Sequence, residues 1–171
     1  VTPTAAGTSW FGFSVAGAGD VNGDGFADVA VGAPASTGGL AGEGRASVYH
    51  GSSAGLAISP AWTAEPSDQA NAQFGYAVSR AGDVNRDGFD DLLVGANLWG
   101  DGTVGSLDEG RAYLYPGGTA GLAASATWTA DPTDQAGAEF VNALAPAGDV
   151  NGDGYADVVV GVYRWDSTGF A

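Results

Sequence analysis

Short apolar segments alternate with polar, glycine-rich connections along the whole chain, and no stretch carries the sustained apolar stripe of an amphipathic helix. In the middle of the chain, β-branched and aromatic residues predict strands at 74–82, 91–96, 111–117 and 126–130. The second of these strands is apolar at successive positions, which is typical of a strand covered on both faces. The third alternates between aromatic and aliphatic side chains. The pattern predicts an all-β fold.

The strand pattern is repeated along the chain. An acidic nine-residue segment occurs three times, with starts 63 and then 66 residues apart, and the predicted strands keep their phase to it. Such a period indicates one supersecondary unit copied in tandem. Four antiparallel strands joined by Gly-rich turns form one blade of a β-propeller. Because the third copy has only its first two strands, the sequence predicts about two and a half blades. The approximate units are 9–66, 72–132 and 138–171, the last of them incomplete.

A propeller of this size does not close by itself, because closed propellers have about four to eight blades. Two explanations remain open. The chain is a segment of a larger propeller, or copies associate through the incomplete third blade, whose second strand has an unpaired edge. We favour the segment.

The formal net charge of the chain is −15, and its five basic residues are all Arg. So acidic a chain repels nucleic acid and anionic membrane surfaces, so cations are its natural partners. Cys is absent, and no apolar run reaches membrane-spanning length, so we expect no membrane insertion. The Ala, Gly, Asp and Val bias indicates a bacterial source.

Each acidic segment places oxygen-bearing side chains at positions 1, 3, 5 and 9, with Gly at position 6. Carboxylates so close together repel one another unless a cation compensates them. Hard oxygen donors without His or Cys suit Ca²⁺ better than Mg²⁺, which demands a stricter octahedron. Position 7 would add its backbone carbonyl while its aromatic ring packs into the blade. An EF-hand is excluded, because position 12 is Val instead of the required Glu.

The sequence therefore predicts three Ca²⁺ sites, one in the hairpin between the first two strands of each blade. The alternative is that these are only Asx-rich turns, since Asp, Asn and Gly favour turns in any case. Three copies in phase favour calcium. The predicted ligands are Asp20, Asn22, Asp24, Phe26 (backbone O) and Asp28; Asp83, Asn85, Asp87, Phe89 (backbone O) and Asp91; and Asp149, Asn151, Asp153, Tyr155 (backbone O) and Asp157.

We expect the basic residues near these segments to have structural rather than ligand-binding roles. Arg86 replaces a Gly of the other two loops and is expected to weaken the second site by repulsion. Arg45 and Arg111 each follow Glu-Gly and are expected to pair with that Glu. His50, the only His of the chain, is expected at the surface.

Antiparallel strand order sorts the connections between two ends of each blade. The acidic hairpins share one end with the connections between third and fourth strands, and the longer connections lie at the other end. Trp99 and the corresponding Trp165 lie in those longer connections. We favour the interpretation that these two residues fill gaps between blades. The alternative is that they form a ligand-binding face.

The stretch WFGFSVAGAGDVNGDGFADVAVGAP at 10–34 resembles an FG-GAP repeat, the blade unit of integrin α-subunit propellers and of many bacterial extracellular proteins. The resemblance covers essentially the whole chain. It implies a propeller, commonly seven-bladed, with Ca²⁺ in the hairpin between the first two strands. Three departures occur: Asn97 replaces the Pro of GAP, Val141 replaces the Gly of FG, and GVY at 161–163 replaces GAP.

The resemblance implies a non-catalytic, calcium-binding extracellular module, secreted or on the cell surface, that serves adhesion or binds a protein ligand. A glycan-binding, lectin-like propeller and a structural element that assembles by strand pairing between chains are the alternatives. An enzyme is not expected, because the chain lacks Cys, has a single His and has no Ser in a nucleophile elbow.

Overall fold

The computed structural model describes residues 9–66, 69–101, 108–131 and 137–165, and within these ranges every regular element is a strand, as predicted. No helix among them is long and apolar enough to cross a membrane. The strands are β1 (Ser14–Gly19), β2 (Asp28–Ala33), β3 (Arg45–Tyr49), β4 (Trp62–Ala64), β5 (Phe74–Gly82), β6 (Asp91–Ala96), β7 (Arg111–Tyr115), β8 (Trp128–Ala130), β9 (Phe140–Gly148) and β10 (Asp157–Val162).

The strands form antiparallel sheets in sequential order, β1-β2-β3-β4, β5-β6-β7-β8 and β9-β10. The prediction of two blades and half of a third is confirmed. The bounds of β5 and β6 are those predicted, whereas β7 and β8 are shorter. β7 ends at Tyr115 because the next residue, Pro116, has no N–H to donate to a neighbouring strand.

The first strand of each blade ends in a β-bulge immediately before the acidic loop. In each case the pairing with the second strand shifts register there, at Gly19, Gly82 and Gly148. These glycines have φ values of 80°, 79° and 72°, a left-handed conformation that other residues adopt only at a cost. The bulge therefore sets the direction in which the chain enters all three loops.

The first two blades bury one continuous core between their faces. The first blade contributes small side chains, among them Ala18, Ala30 and Ala46, all fully buried. The second blade contributes large ones, among them Phe74 and Tyr115, which are equally buried. Small side chains on one sheet leave room for large ones on the next, so the sheets approach closely.

The same arrangement joins the second blade to the half blade. Ala81 and Ala112 occupy the positions of Ala18 and Ala46, and they pack with Phe140 and Val141 in a second buried cluster. The half blade is thus held by packing of the same kind, although the described residues include only two of its strands.

Candidate metal-binding loops

The first acidic loop, residues 20–28, is closed by its first carboxylate. Asp20 Oδ1 accepts the backbone N–H groups of Gly23 at 2.7 Å and Asp24 at 3.1 Å. Asp20 Oδ2 accepts the N–H of Gly25 at 2.8 Å. Hydrogen bonds within the protein therefore wrap the chain around this carboxylate.

Asn22 and Asp24 are joined to each other inside the loop. The Asn22 amide donates to Asp24 Oδ2 at 2.9 Å, and Asn22 Oδ1 accepts the N–H of Asp24 at 3.0 Å. Asp24 Oδ1 accepts the N–H of Phe26 at 2.9 Å. The hydrogen bonds from Asn22 and Phe26 hold the pKa of the Asp24 carboxyl below its usual value, which keeps this exposed group ionised.

Asp28 closes the base of the loop and is 1% exposed. Its Oδ2 accepts the N–H of Val21 at 2.9 Å, and its Oδ1 accepts the N–H of Gly51, just after β3, at 2.9 Å. The acidic loop and the β3–β4 connection therefore lie at the same end of the blade, as the strand order predicts.

The network is repeated in the other two loops. Asp83 and Asp149 each accept N–H groups of the following turn, and Asn85 and Asn151 each bond to the Asp two residues later at 2.8 and 2.9 Å. The position-7 N–H groups of Phe89 and Tyr155 donate to Asp87 and Asp153 at 3.0 and 2.9 Å. The three sequence repeats therefore form loops with the same internal hydrogen bonds.

The closing carboxylates differ in their surroundings. Asp91, fully buried, accepts from Val84 at 2.8 Å and Gly117 at 2.9 Å, and burial raises its pKa. Asp157 accepts from Val150 at 2.9 Å and is only half-buried, because the described residues contain no third strand in that blade.

Two positions of each loop have left-handed backbone, one more than the sequence predicted. The predicted bend at position 6 has φ values of 87°, 91° and 89° at Gly25, Gly88 and Gly154. Position 4 is also left-handed, and there the second loop carries Arg86 at φ 61° instead of Gly. A non-Gly residue in this region costs roughly 1 kcal/mol.

The expectation that the position-7 rings pack into their own blades is wrong. Phe26 and Tyr155 are 42% and 44% exposed. Phe89 lies across Gly23 of the preceding loop, close enough that a Cβ on Gly23 would be 2.6 Å from its ring. The ring covers the neighbouring loop because that loop has no side chain at position 4.

Arg86 contacts the third loop. Its guanidinium lies 5.2 Å from the Tyr155 ring centroid. Hydrogen bonds from Tyr155 N–H and Asn151, with a smaller contribution from the Arg86 charge, lower the pKa of Asp153. The charge expected to disturb the second loop therefore also acts on the third.

His50 is not a surface residue, contrary to expectation. It is half-buried beside the first loop, with Nδ1 3.2 Å from the Asn22 amide nitrogen. Its Nε2 is buried close to Gly121 of the next blade. The ring thus fills space between the first loop and the second blade.

The expected pairing of Arg45 and Arg111 with the preceding Glu is wrong. Arg45 pairs with Glu65 and Arg111 with Asp131, which lie opposite them just past the last residue pairs of the third and fourth strands. Glu43 instead binds backbone N–H groups of its own connection, from Gly38 and Gly39 at 2.6 Å and from Leu40 at 3.1 Å.

The two candidate tryptophans at the opposite end have different environments. Trp99 packs on the core between the first two blades, and the Arg111 guanidinium lies 3.4 Å from its ring centroid. Trp165 is 58% exposed. The environment of Trp99 favours gap filling, and that of Trp165 leaves its ring accessible to a ligand.

The loops have the donor chemistry for a hard cation. In each loop three carboxylates and one amide supply oxygen donors, and a carboxylate oxygen that accepts one N–H retains a second lone pair. Within the described residues, however, no three His, Cys, Asp or Glu side chains are already gathered as a metal cage. The residues fit Ca²⁺ by type and spacing.

The FG-GAP repeat profile matches this chain three times, at residues 11–49, 74–115 and 140–171. The chain belongs to the FG-GAP repeat family. Among its relatives, integrin alpha-4 of Xenopus laevis is 33% identical over 166 residues, 93% of this chain and 15% of the integrin. Mouse integrin alpha-8 is 36% identical over 168 residues, 95% of this chain and 14% of the integrin. Mouse integrin alpha-7 is 43% identical over 88 residues, 52% of this chain and 7% of the integrin.

The FG-GAP chain thus spans about one seventh of the integrins that it matches over nearly its full length. Each profile match begins at the Phe that recurs in the three units, and the matches cover β1–β3, β5–β7 and β9–β10. The chain is an integrin α-like FG-GAP propeller module.

Proposed function

We propose that this FG-GAP module is a non-catalytic, calcium-stabilised binding module that acts outside the cell in adhesion. The observation that carries the proposal is the loop with oxygen donors at positions 1, 3, 5 and 9, formed three times with the same internal hydrogen bonds. Turn formation explains one such loop, but it does not require three carboxylates in every copy.

Ca²⁺ would be held in the first loop by Asp20, Asn22, Asp24, Asp28 and the Phe26 carbonyl, and by their equivalents in the other two loops. When bound, the ion supplies positive charge that offsets carboxylate repulsion. The protein's part is to hold the donors ready. Buried Asp28 fixes both ends of the loop, so a cation would find part of the ordering already done.

The opposite ends of the blades would carry the ligand-binding face. Tyr163 and Trp165 are 64% and 58% exposed there, and Arg164 lies over the Tyr163 ring at 5.4 Å. Exposed aromatic rings supply contact area at low conformational cost. A protein ligand is the first candidate. The aromatic pair also suits stacking on a sugar, which makes a glycan the second.

Calorimetric titration of chelator-treated protein tests the calcium proposal. We expect three calcium equivalents and a higher Tm with calcium than with EDTA, because a ligand that binds only the folded state stabilises it. Asp24→Ala should remove one equivalent. Asp108→Asn, which removes one negative charge outside the loops, should leave three. No binding heat, together with a Tm indifferent to EDTA, would overturn the proposal.

The ligand face is tested separately, on a glycan array and a panel of extracellular-matrix proteins, each in calcium and in EDTA. Binding that Trp165→Ala abolishes and Trp128→Ala preserves would support this face. Binding that survives Trp165→Ala would place the ligand elsewhere while leaving the calcium result intact.

A further inference from the structure

The acidic loops of neighbouring blades are joined in the same way at both junctions. The residue at position 8 of the later loop donates its N–H to the carbonyl oxygen at position 1 of the earlier loop. The donor is Asp90 and the acceptor Asp20 at the first junction, at 3.1 Å, and Ala156 donates to Asp83 at the second, at 3.2 Å. This arrangement brings position 7 of the later loop beside position 4 of the earlier one. A side chain at position 4 therefore faces the next loop along the chain.

Position 4 differs between the two junctions, and the difference is a charge. At the first junction it is Gly23, which the Phe89 ring covers. At the second junction it is Arg86, whose guanidinium lies 5.2 Å from the centroid of the Tyr155 ring. The guanidinium carbon would also be 2.9 Å from a Cβ on Gly154, so the charge lies against the backbone of the third loop. The second junction thus places a positive charge at the next acidic loop.

The charge of Arg86 is available to the third loop. Among the described residues no carboxylate forms an ion pair with Arg86, so no single partner neutralises the guanidinium. Hydrogen bonds from the Tyr155 N–H and the Asn151 amide lower the pKa of the Asp153 carboxyl, and the Arg86 charge lowers it further. Asp153 is the position-5 oxygen donor of the third loop. Arg86 therefore offsets part of the negative charge that a bound cation would offset.

We propose that Arg86 lowers the affinity of the third loop for Ca²⁺, although Arg86 belongs to the second loop. This inference rests on the calcium binding proposed above. A guanidinium beside the loop repels an incoming divalent cation, and it stabilises the calcium-free carboxylates that the cation must engage. Both effects disfavour the bound state relative to the free one. Removal of the charge should therefore tighten calcium binding at the third loop and destabilise the calcium-free protein.

These two effects distinguish the charge of Arg86 from a purely structural role. An Arg that only packed on Tyr155 would stabilise the protein with and without calcium, and its loss would not tighten calcium binding. A charge instead stabilises the free loop and destabilises the bound one. The effect should also shrink with added salt, because Arg86 is exposed and its field is screened.

Calcium titration of a chain in which only the third loop is intact tests the proposal. Asp24→Ala and Asp87→Ala together remove the position-5 carboxylates of the other two loops. In that background Arg86→Gln should lower the calcium Kd about three- to tenfold at about 0.02 M NaCl. The change should fall below about twofold at about 0.5 M NaCl. Arg86→Lys keeps the positive charge and should leave the Kd within about twofold of its starting value.

A chain in which only the first loop is intact, made by Asp87→Ala and Asp153→Ala, is the matched control. Arg86→Gln should change its calcium Kd less than about twofold, because the guanidinium faces the third loop. Urea unfolding of the chain with all three loops intact is the second readout. In EDTA, Arg86→Gln should unfold at a lower urea concentration than Arg86→Lys, and the difference should shrink in saturating calcium. A cooperative transition confirms that each variant folds.

The outcomes separate this proposal from the calcium proposal on which it rests. If the third loop of Arg86→Gln binds calcium no more tightly than before, or binds none in either form, the role of Arg86 is overturned and the first two sites are unaffected. A gain in affinity that is equally large at high salt would also overturn it, because charge would not be the cause. Absence of calcium binding by the unaltered chain would overturn the calcium proposal together with this one.

Discussion

Asp90 of the second loop is bonded to Asp20 of the first through both backbone and side chain. The Asp90 N–H donates to the Asp20 carbonyl oxygen at 3.1 Å, and Asp90 Oδ2 accepts the Asp20 N–H at 2.9 Å. The backbone hydrogen bond recurs at the next junction, where the Ala156 N–H donates to the Asp83 carbonyl oxygen at 3.2 Å. The side-chain hydrogen bond cannot recur there, because Ala156 has no carboxylate. The first junction between loops is therefore the more strongly tied.

Asp90→Ala should destabilise the calcium-free protein by about 1–2 kcal/mol, because the Asp20 N–H loses its acceptor. Arg80→Ala removes only the ion pair to Asp90, in which the Arg80 side chain is 52% exposed, and should cost less than about 1 kcal/mol. Urea unfolding in EDTA measures both. Equal losses would show that the ion pair, and not the bond to the first loop, gives Asp90 its effect.

Asp28 and Asp157 occupy the same loop position but should respond differently to replacement by Asn. Asp28→Asn turns an amide N–H₂ toward a backbone donor, Val21 or Gly51, and should cost about 1–3 kcal/mol in EDTA. Half-buried Asp157 accepts from Val150, a bond that an Asn oxygen can keep, so Asp157→Asn should cost less than about 1 kcal/mol. Urea unfolding distinguishes these values, and similar costs would contradict the role of the second bond.

The inner strands and acidic loops were predictable because their signals are local. β5 and β6 have the predicted bounds, and the loops form at the three repeated segments. Alternation of apolar positions, turn residues and Gly bends all act over a few neighbouring positions. The predicted and observed bounds agree less well at β8, which is only three residues long. The ends of this strand depend on its pairing with the neighbouring strand.

The ion pairs were not predictable from local spacing, because they depend on strand register. Ala46 pairs with Ala64, which brings Arg45 opposite Glu65 rather than beside Glu43. Glu43 can then bind the backbone of the preceding turn. Strand register decides which carboxylate lies opposite each Arg, and the sequence does not specify that register.

The third unit shows how the structure absorbs a departure from the repeat. At the Gly of FG, Gly75 has φ 82°, and a Cβ there would collide with the Arg45 carbonyl. Val141 keeps the left-handed backbone, at φ 68°, and is fully buried against Gly95. Burial of the Val141 side chain offsets the backbone strain. Because that burial is against the second blade, the sequence of the third unit alone does not predict it.

Trp62 and Trp128 are the first residues of the equivalent strands β4 and β8, and they should differ in their contribution to stability. The Trp62 indole N–H donates to the Ala123 carbonyl at 2.9 Å, and its ring meets Tyr115 of the next blade edge-on at 4.8 Å. Trp128 is 45% exposed. Trp62→Ala should cost about 2–4 kcal/mol and Trp128→Ala about 1 kcal/mol or less, measured by thermal and urea unfolding. Equal costs would mean that Trp62 does not join the blades.

Asn97→Pro should stabilise the protein. Asn97 is 3% exposed, and its side-chain oxygen is buried with no hydrogen-bond partner. Pro34 fills this position in the first blade, where the following turn has the same backbone hydrogen bonds. The gain should be about 0.5–2 kcal/mol, from lower unfolded-state entropy and loss of the unpaired oxygen. Asn97→Ala separates these contributions, because it removes the oxygen without restricting the backbone. A lower Tm for the Pro variant would show that the two turns are not equivalent.

Glu43→Gln should weaken both stability and its dependence on acid. Burial raises the pKa of Glu43, but the N–H groups of Gly39, Leu40 and Gly38 outweigh it and lower the pKa overall. Ionised Glu43 therefore stabilises the fold above the unfolded pKa near 4.5, and this contribution is lost as pH falls through the lower folded value. Gln leaves an N–H facing an amide donor, at a cost of about 1–3 kcal/mol near pH 7. Urea unfolding between pH 3 and 7 should show a shallower acid limb for Glu43→Gln than for the wild type. An unchanged acid limb would mean that the turn does not depend on this charge.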